Sequence, residues 1–340
     1  MIRLRPQPMD TIDDVRAAVQ KAIELELSTL PPYLSALFTL RDGSNAVARE
    51  RIKAVVYDEM VHLGLACNIL NAIGGQPVLA DASVVPSYPG PLPYDIGSEY
   101  GDPFEVSLLP FSEAAMRQAM RIEEPEEPLV FRSVARDVAT FETIGQFYAN
   151  LDEALARLPL EAWSPTPRNQ LGDHPFFTGE LFAVVDQATA KEAIRRIVSE
   201  GEGTSRQPLD FEGELAHYYR FEELARNQQL LRNPSVPEGY SWGGPLGVDW
   251  TQVIEAIPDP GTHDFSDDPA ALQAQESCDR SYTQMLHELH RAVNGETGRL
   301  GNSVRAMFDL RMAARVALMT PLQGATASAG PAFRYRPELA

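Results

Sequence analysis

Apolar residues recur at three-, four- and seven-residue steps from Ile12 through Val15, Val19, Ile23, Leu30 and Leu34 to Leu37. A stripe of that period and length is buried only as one face of a long helix, so the chain has to build its core by packing helix on helix. Pro31 and Pro32 interrupt the stripe and predict a kink, because their rings lack the N–H groups that would bond the carbonyls of Leu27 and Ser28. A simple kink for packing is the favoured reading of the two prolines; an opening beside Glu26 that admits substrate or water is the alternative. Asp42-Gly43-Ser44-Asn45 ends the helix and offers a cap to the next, expected over roughly 46–73 and stopped by Gly74-Gly75. So short a link makes these two helices antiparallel neighbours.

Residues 76–128 break the pattern. They are rich in proline and are expected to hold one short helix, from Ser112 to Arg121. A long segment of this kind is more often functional than a mere linker. Further helices are expected over 129–158, 183–201, 212–231, 270–294 and 300–318, with a flexible break at Gly201-Glu202-Gly203-Thr204-Ser205. Strand patterns are scarce. The expected architecture is all-α: a four-helix bundle over 12–232 with a loop insertion at 76–128, then a loop and C-terminal helices over 233–320, then a loose tail over 321–340.

Composition fits that picture. A chain of 340 residues with 44% hydrophobic content fills a substantial core, which excludes disorder as its general state. The 48 acidic against 29 basic residues leave a net charge of −19, and a polyanion would repel nucleic acid and anionic membranes. Two distant cysteines, Cys67 and Cys278, make neither a disulfide framework nor a thiolate metal cluster. No run of about 18 apolar residues occurs, and the first eleven residues lack a signal peptide's apolar segment. The expectation is a cytoplasmic protein with no nucleic-acid and no membrane partner.

The informative positions are those where inward stripes turn polar. Glu26 lies on the Ile23–Leu30 stripe. Glu59 and His62 share the buried side of the second helix with Ile52, Val55 and Leu63. Glu142 follows Phe141 in the third long helix, and Glu214 and His217 share a face with Phe221 and Leu224. Burying unpaired carboxylates costs several kcal/mol each, so cations should meet them, and few inward Lys or Arg are at hand. Four carboxylates and two neutral imidazoles around two divalent ions sum to zero charge. Helical bundles build di-iron sites in this way, with one Glu from each of two helices and Glu-x-x-His from each of the other two. Glu59-Met60-Val61-His62 and Glu214-Leu215-Ala216-His217 both have that spacing. Either pair alone is weak; agreement across separate helices carries the reading, with a structural polar network as its rival.

The same stretches resemble a known family. Ala22-Ile23-Glu24-Leu25-Glu26-Leu27-Ser28-Thr29-Leu30-Pro31-Pro32-Tyr33 is similar to the opening helix of the ferritin-like domain of iminophenyl-pyruvate dimer synthase. Glu59-Met60-Val61-His62 running into Asn68-Ile69-Leu70-Asn71, Glu142-Thr143-Ile144-Gly145-Gln146-Phe147-Tyr148, Gly201-Glu202-Gly203 and His217-Tyr218-Tyr219-Arg220-Phe221 resemble later parts of that domain. The resemblance implies a ferritin-like bundle with a carboxylate-rich metal centre, and supports Glu26 as a ligand because Tyr33 stands seven residues after it. It also brings in Glu202: if 203–213 loops out of the fourth helix, Glu202 arrives beside His217, and it is then preferred to Glu214. Those synthases, of violacein- and indolocarbazole-type pathways, are longer chains. The domain and the link to natural-product pathways carry over; the coupling of two indole imines does not.

The expected function is that of an O₂-dependent, non-haem di-iron oxidase or oxygenase acting on an amino-acid-derived small molecule, with manganese as the other metal for this ligand set. Glu26, Glu59, His62, Glu142, Glu202 or Glu214, and His217 are the expected metal ligands. Tyr33 is a candidate to supply an electron or a hydrogen bond at the centre, with a core aromatic as the equal alternative; Arg220 is a candidate to pair with a ligand or substrate carboxylate, with a structural ion pair as the favoured reading. Iron storage and non-catalytic binding are the alternatives, and a homodimer is left open. The acidic run Glu123-Glu124-Pro125-Glu126-Glu127-Pro128 reads as a solvated helix start.

Overall fold

The structure is a computed structural model that describes residues 9–93, 104–125, 144–164, 166, 168–201 and 207–339. Its long elements are helices. Helix α1 (Ile12–Thr39) starts from a capping box, in which Asp14 N–H donates to the Thr11 hydroxyl at 3.2 Å and Thr11 N–H donates to the Asp14 carboxylate at 2.9 Å. Helix α2 (Ala46–Ala72) returns antiparallel to it. The predicted cap for α2 does not form. Asn45 adopts a left-handed conformation, and its amide bonds the Asp249 backbone at 2.9 and 2.8 Å, tying a distant loop to the helix start.

Helices α4 (Ile144–Arg157) and α5 (Gln187–Gly201) complete a four-helix bundle: α1 packs on α2 and α4, and α5 packs on α2 and α4. The 126–143 part of the third predicted helix lies outside the described residues. α5 begins later than the predicted Ala183, because the Asp186 carboxylate accepts the Thr189 N–H at 2.8 Å and caps it there. Within the proline-rich insertion, α3 (Glu113–Ile122) is the predicted short helix, displaced by a residue, with Ser112 as its N-cap. It packs against α6 (His217–Arg226), and the pair covers one side of α1 and α2.

The predicted helix over 212–231 is cut at both ends. Asp210 accepts the N–H groups of Glu212 and Glu214 at 2.8 and 2.9 Å, holding 210–216 in a loop. At the other end Asn227 turns left-handed (φ 52°), and the chain leaves as strand β3 (Gln228–Arg232), antiparallel to β4 (Tyr240–Pro245), with Leu230 opposite Trp242. A smaller pair joins β1 (Gly90–Pro91) and β2 (Glu105–Val106). Helices α7 (Pro269–Val293) and α8 (Leu300–Leu318) form a hairpin against α1 and α2.

The structure bears on two further expectations. α1 passes through Pro31 and Pro32 without a break, and the Ser28 carbonyl accepts the buried Tyr88 hydroxyl at 2.7 Å, which fits the packing reading of the prolines and not the opening to substrate or water. The segment after Pro321 is packed, not loose. Ala329, Ala332 and Phe333 are buried, Arg334 pairs with buried Asp279 at 2.8 Å, and the Tyr335 hydroxyl reaches the Ala80 carbonyl.

Candidate metal centre

The centre is assembled from five helices. α1 contributes Glu26, and α2 contributes Glu59 and His62, one turn apart on its buried face. Glu123 sits at the C-terminal cap of α3, and His217 is the first residue of α6. α4 contributes Tyr148 from outside. All five acidic and imidazole residues are buried, His217 completely so.

Glu26, Glu59 and His62 present ligand atoms that all lie within 4.8 Å of one another, and so do Glu59, Glu123 and His217. Glu59 belongs to both groups. Its Oε1 stands 3.9 Å from His62 Nδ1 and 2.9 Å from His217 Nδ1, while His62 Nδ1 is 3.6 Å from Glu26 and His217 Nδ1 is 3.6 Å from Glu123. The imidazole rings stack with centroids 5.6 Å apart.

Each donor is held from behind. The Tyr148 hydroxyl donates to Glu26 Oε1, the Thr29 hydroxyl to Glu59 Oε2 at 2.6 Å, and the Tyr33 hydroxyl to Glu123 Oε1. In every carboxylate, therefore, one oxygen is fixed by a hydroxyl and the other faces the imidazoles. The imidazoles follow the same rule. His62 Nε2 lies 2.8 Å from Glu200, which pairs with Arg196 at 2.9 Å; His217 Nε2 lies 3.3 Å from Asp58, which pairs with Arg220 at 2.8 Å. A carboxylate on the far nitrogen is the arrangement that orients metal-ligating histidines.

Electrostatics show what the cluster lacks. Burial and the charges of Glu123 and Glu26 push Glu59 up to about 8. Burial opposes charging of His62, yet the bonds to Glu200 and Glu26 override it and raise its pKa to about 10. His217 is lifted the same way, against burial, by Asp58, Glu123 and Glu59. Tyr33 is driven well above its usual value by burial and by Glu123 and Glu59. The cluster thus retains protons to offset crowded negative charge, the role a divalent cation fills in a carboxylate site. His217 Nδ1, though buried and close to Glu59, makes no hydrogen bond. Glu123 also stands at a helix C-terminus, where the backbone dipole disfavours an anion. A cavity of about 30 Å³, lined by Glu26, Glu59, His62 and Glu123 among others, has room for a water molecule or a small ion. An orphaned nitrogen, hard oxygen donors and a space of that size fit a bound metal.

A family model described as ferritin-like matches residues 19–226. The chain belongs to the ferritin-like family. The match spans the bundle and both histidines of the centre. A ferritin-like protein from Caulobacter vibrioides, solved at 1.95 Å, shares the fold, with a TM-score of 0.65 at 23% identity, covering 95% of this chain and all of that one. The 2-imino-3-(indol-3-yl)propanoate dimerase of Chromobacterium violaceum is 24% identical over 274 residues. That alignment takes in 68% of this ferritin-like chain and 25% of the dimerase, so the chain spans about a quarter of its relative's length.

The structure brings four of the sequence-predicted ligands together: Glu26, Glu59, His62 and His217. Glu142 and Glu202 lie outside the described residues. Glu214 is exposed in the loop before α6, because the helical spacing that would have stacked it on His217 does not exist there. Arg220 pairs with Asp58, which stands between it and His217; its guanidinium also donates to the Leu215 carbonyl. Tyr33 touches the cluster through Glu123. Sequence reasoning missed Glu123, Glu200 and Asp58. Glu123 sits four residues after Ala119 and one after Ile122 on a buried stripe, and Glu200 three after Ile197, so both break apolar stripes as Glu59 does. Among the described residues no helix is long and apolar enough to cross a membrane.

Proposed function

We propose that this ferritin-like chain is a carboxylate-bridged di-metal oxidoreductase that uses O₂ on an amino-acid-derived small molecule. The observation that carries the reading is the gathering of three buried carboxylates and two buried imidazoles into two ligand groups that share Glu59, every donor's second heteroatom already engaged. Glu26 and His62 would hold one metal, Glu123 and His217 the other, and Glu59 both. Two ferrous ions, with manganese sharing the same ligand preferences, would supply the electrons that O₂ accepts.

The surrounding residues set the terms of that chemistry. With metal bound, Glu200 and Asp58 would keep the Nε2 protons of the histidines and leave the Nδ1 lone pairs to the ions. Arg196 and Arg220 neutralise those two carboxylates. Glu26, Glu59 and Glu123 then carry three negative charges against four on two divalent ions. The balance has room for one more carboxylate, and Glu142 and Glu202 are the candidates. Leu25, Ile122, Ile144 and Ile197 wall the cavity and keep bulk water from the donors.

The substrate class follows the relative. The Chromobacterium violaceum enzyme is named for an indole-bearing imino acid, so aromatic α-amino or α-imino acids are the first substrates to try, and natural-product biosynthesis is the setting. The test is elemental analysis of the purified protein followed by O₂ uptake with aromatic amino acids and their imines. The reading expects about two irons per chain and substrate-stimulated O₂ consumption. Iron-loaded protein whose O₂ uptake none of these compounds raises would refute the oxidase; mineralisation of many irons per chain would favour storage.

A further inference from the structure

A second cavity, of about 670 Å³, lies on the other side of the α1–α2 layer, between it and the α7–α8 hairpin. It is within the size range of small-molecule sites. Leu27 and Met60 line it, each one residue from a donor of the metal centre and so turned about 100° around its helix from that donor. The two cavities share no lining residue.

Its shape can be read from its walls. Lining residues run from Leu27 to Phe38 on α1 and back from Arg49 to Leu63 on α2, eleven and fourteen steps, or about 17 and about 21 Å at the helical rise. The walls are leucine, valine, methionine and phenylalanine for most of that length. Cations gather at one end only: Arg41, Arg49, Lys53, Arg311 and Arg315 against the single carboxylate of Asp42. Asp42 is already engaged by Arg315 at 2.7 Å, and among the described residues Lys53 and Arg311 form no ion pair. In a chain with a net charge of −19, five cations around one apolar mouth are a local reversal of sign. Phe308 and Met319, 52% and 66% exposed, line the same space and leave it open to solvent.

We propose that this cavity binds an amphipathic anion with an unbranched apolar body: an acyl chain laid between the helix pairs, its carboxylate among Lys53, Arg311 and their neighbours. An elongated apolar slot selects a chain over a compact ring system, and the one-ended charge selects an anion over a neutral or cationic lipid. The site is independent of the metal centre and stands whether or not the oxidase reading survives.

Titration calorimetry with dodecanoate, dodecanol and dodecyltrimethylammonium tests it on the full chain, with and without iron. Dodecanoate should bind with a micromolar Kd at one per chain, at least tenfold tighter than dodecanol, while the cationic amphiphile does not bind. Lys53→Glu with Arg311→Glu should weaken dodecanoate at least tenfold and leave dodecanol unchanged; both side chains are exposed, so folding is unaffected. Met307→Trp, which fills the slot, should abolish binding of both. Equal affinity for the three amphiphiles, dodecanoate binding that survives both changes, or sedimentation showing the mouth closed by a second copy with no dodecanoate bound would overturn the proposal.

Discussion

Replacing Glu59 by glutamine probes the centre through stability and metal content together. Glu59 is 2% exposed, and burial with the Glu123 and Glu26 charges moves its carboxyl from 4.5 to about 8. Between those values the folded, metal-stripped chain holds a proton that the unfolded chain releases. The stabilising share of a carboxyl shifted upward is complete below pH 4.5 and is lost as the pH rises toward 8. At about 1.4 kcal/mol per unit, folding at pH 7 then carries a penalty of about 3 kcal/mol from this one group. Glutamine has the shape of the protonated carboxyl, can turn its amide oxygen to His217 Nδ1 and its NH2 to the Thr29 hydroxyl, and cannot ionise. In EDTA, E59Q should therefore match the parent near pH 4.5 and exceed it by about 3 kcal/mol at pH 7. The same variant loses the shared ligand, so its iron content should fall from two to at most one per chain. Urea unfolding across pH 5 to 7, with elemental analysis of the iron-reconstituted protein, reads both effects. A variant less stable than the parent in EDTA at pH 7, or one still holding two irons, refutes the reasoning.

Glu123→Gln should reduce iron to about one per chain while Glu214→Gln leaves it unchanged; the reverse pattern in elemental analysis would return the ligand role to the loop. Glu200→Gln removes the charged partner of His62 Nε2 and should weaken metal binding about 10- to 100-fold in a competitive chelator titration; an unchanged affinity would make Glu200 merely structural. Tyr88→Phe leaves the buried Ser28 carbonyl without a donor and should cost about 1–3 kcal/mol in chemical unfolding, with no change in metal content. If stability is unchanged, the proline-freed carbonyl is satisfied in some other way.

The parts of the centre that were legible in the sequence are those held by long helices. Glu26, Glu59 and His62 lie on α1 and α2, where an unbroken 3.6-residue period fixes which side chains face inward. His217 was found by a spacing argument that is wrong in detail: the helix it was read from starts at His217 itself, and its partner Glu214 is in a loop pinned by Asp210. Glu123 was misread because a run of glutamates next to prolines looks solvated. The run's first member closes a ten-residue helix whose apolar face turns it inward.

By itself the sequence determined the helical class, the antiparallel α1–α2 pair and the acidic and imidazole residues those two helices bury, because periodicity is a local property that survives packing. It could not decide which short elements deliver the remaining donors. Glu123 and His217 sit at helix ends, where capping and loop contacts set the register, and Asp58, Glu200 and Tyr148 come together from three separate helices. Those choices are made by contacts between residues distant along the chain, and only the packed bundle states them.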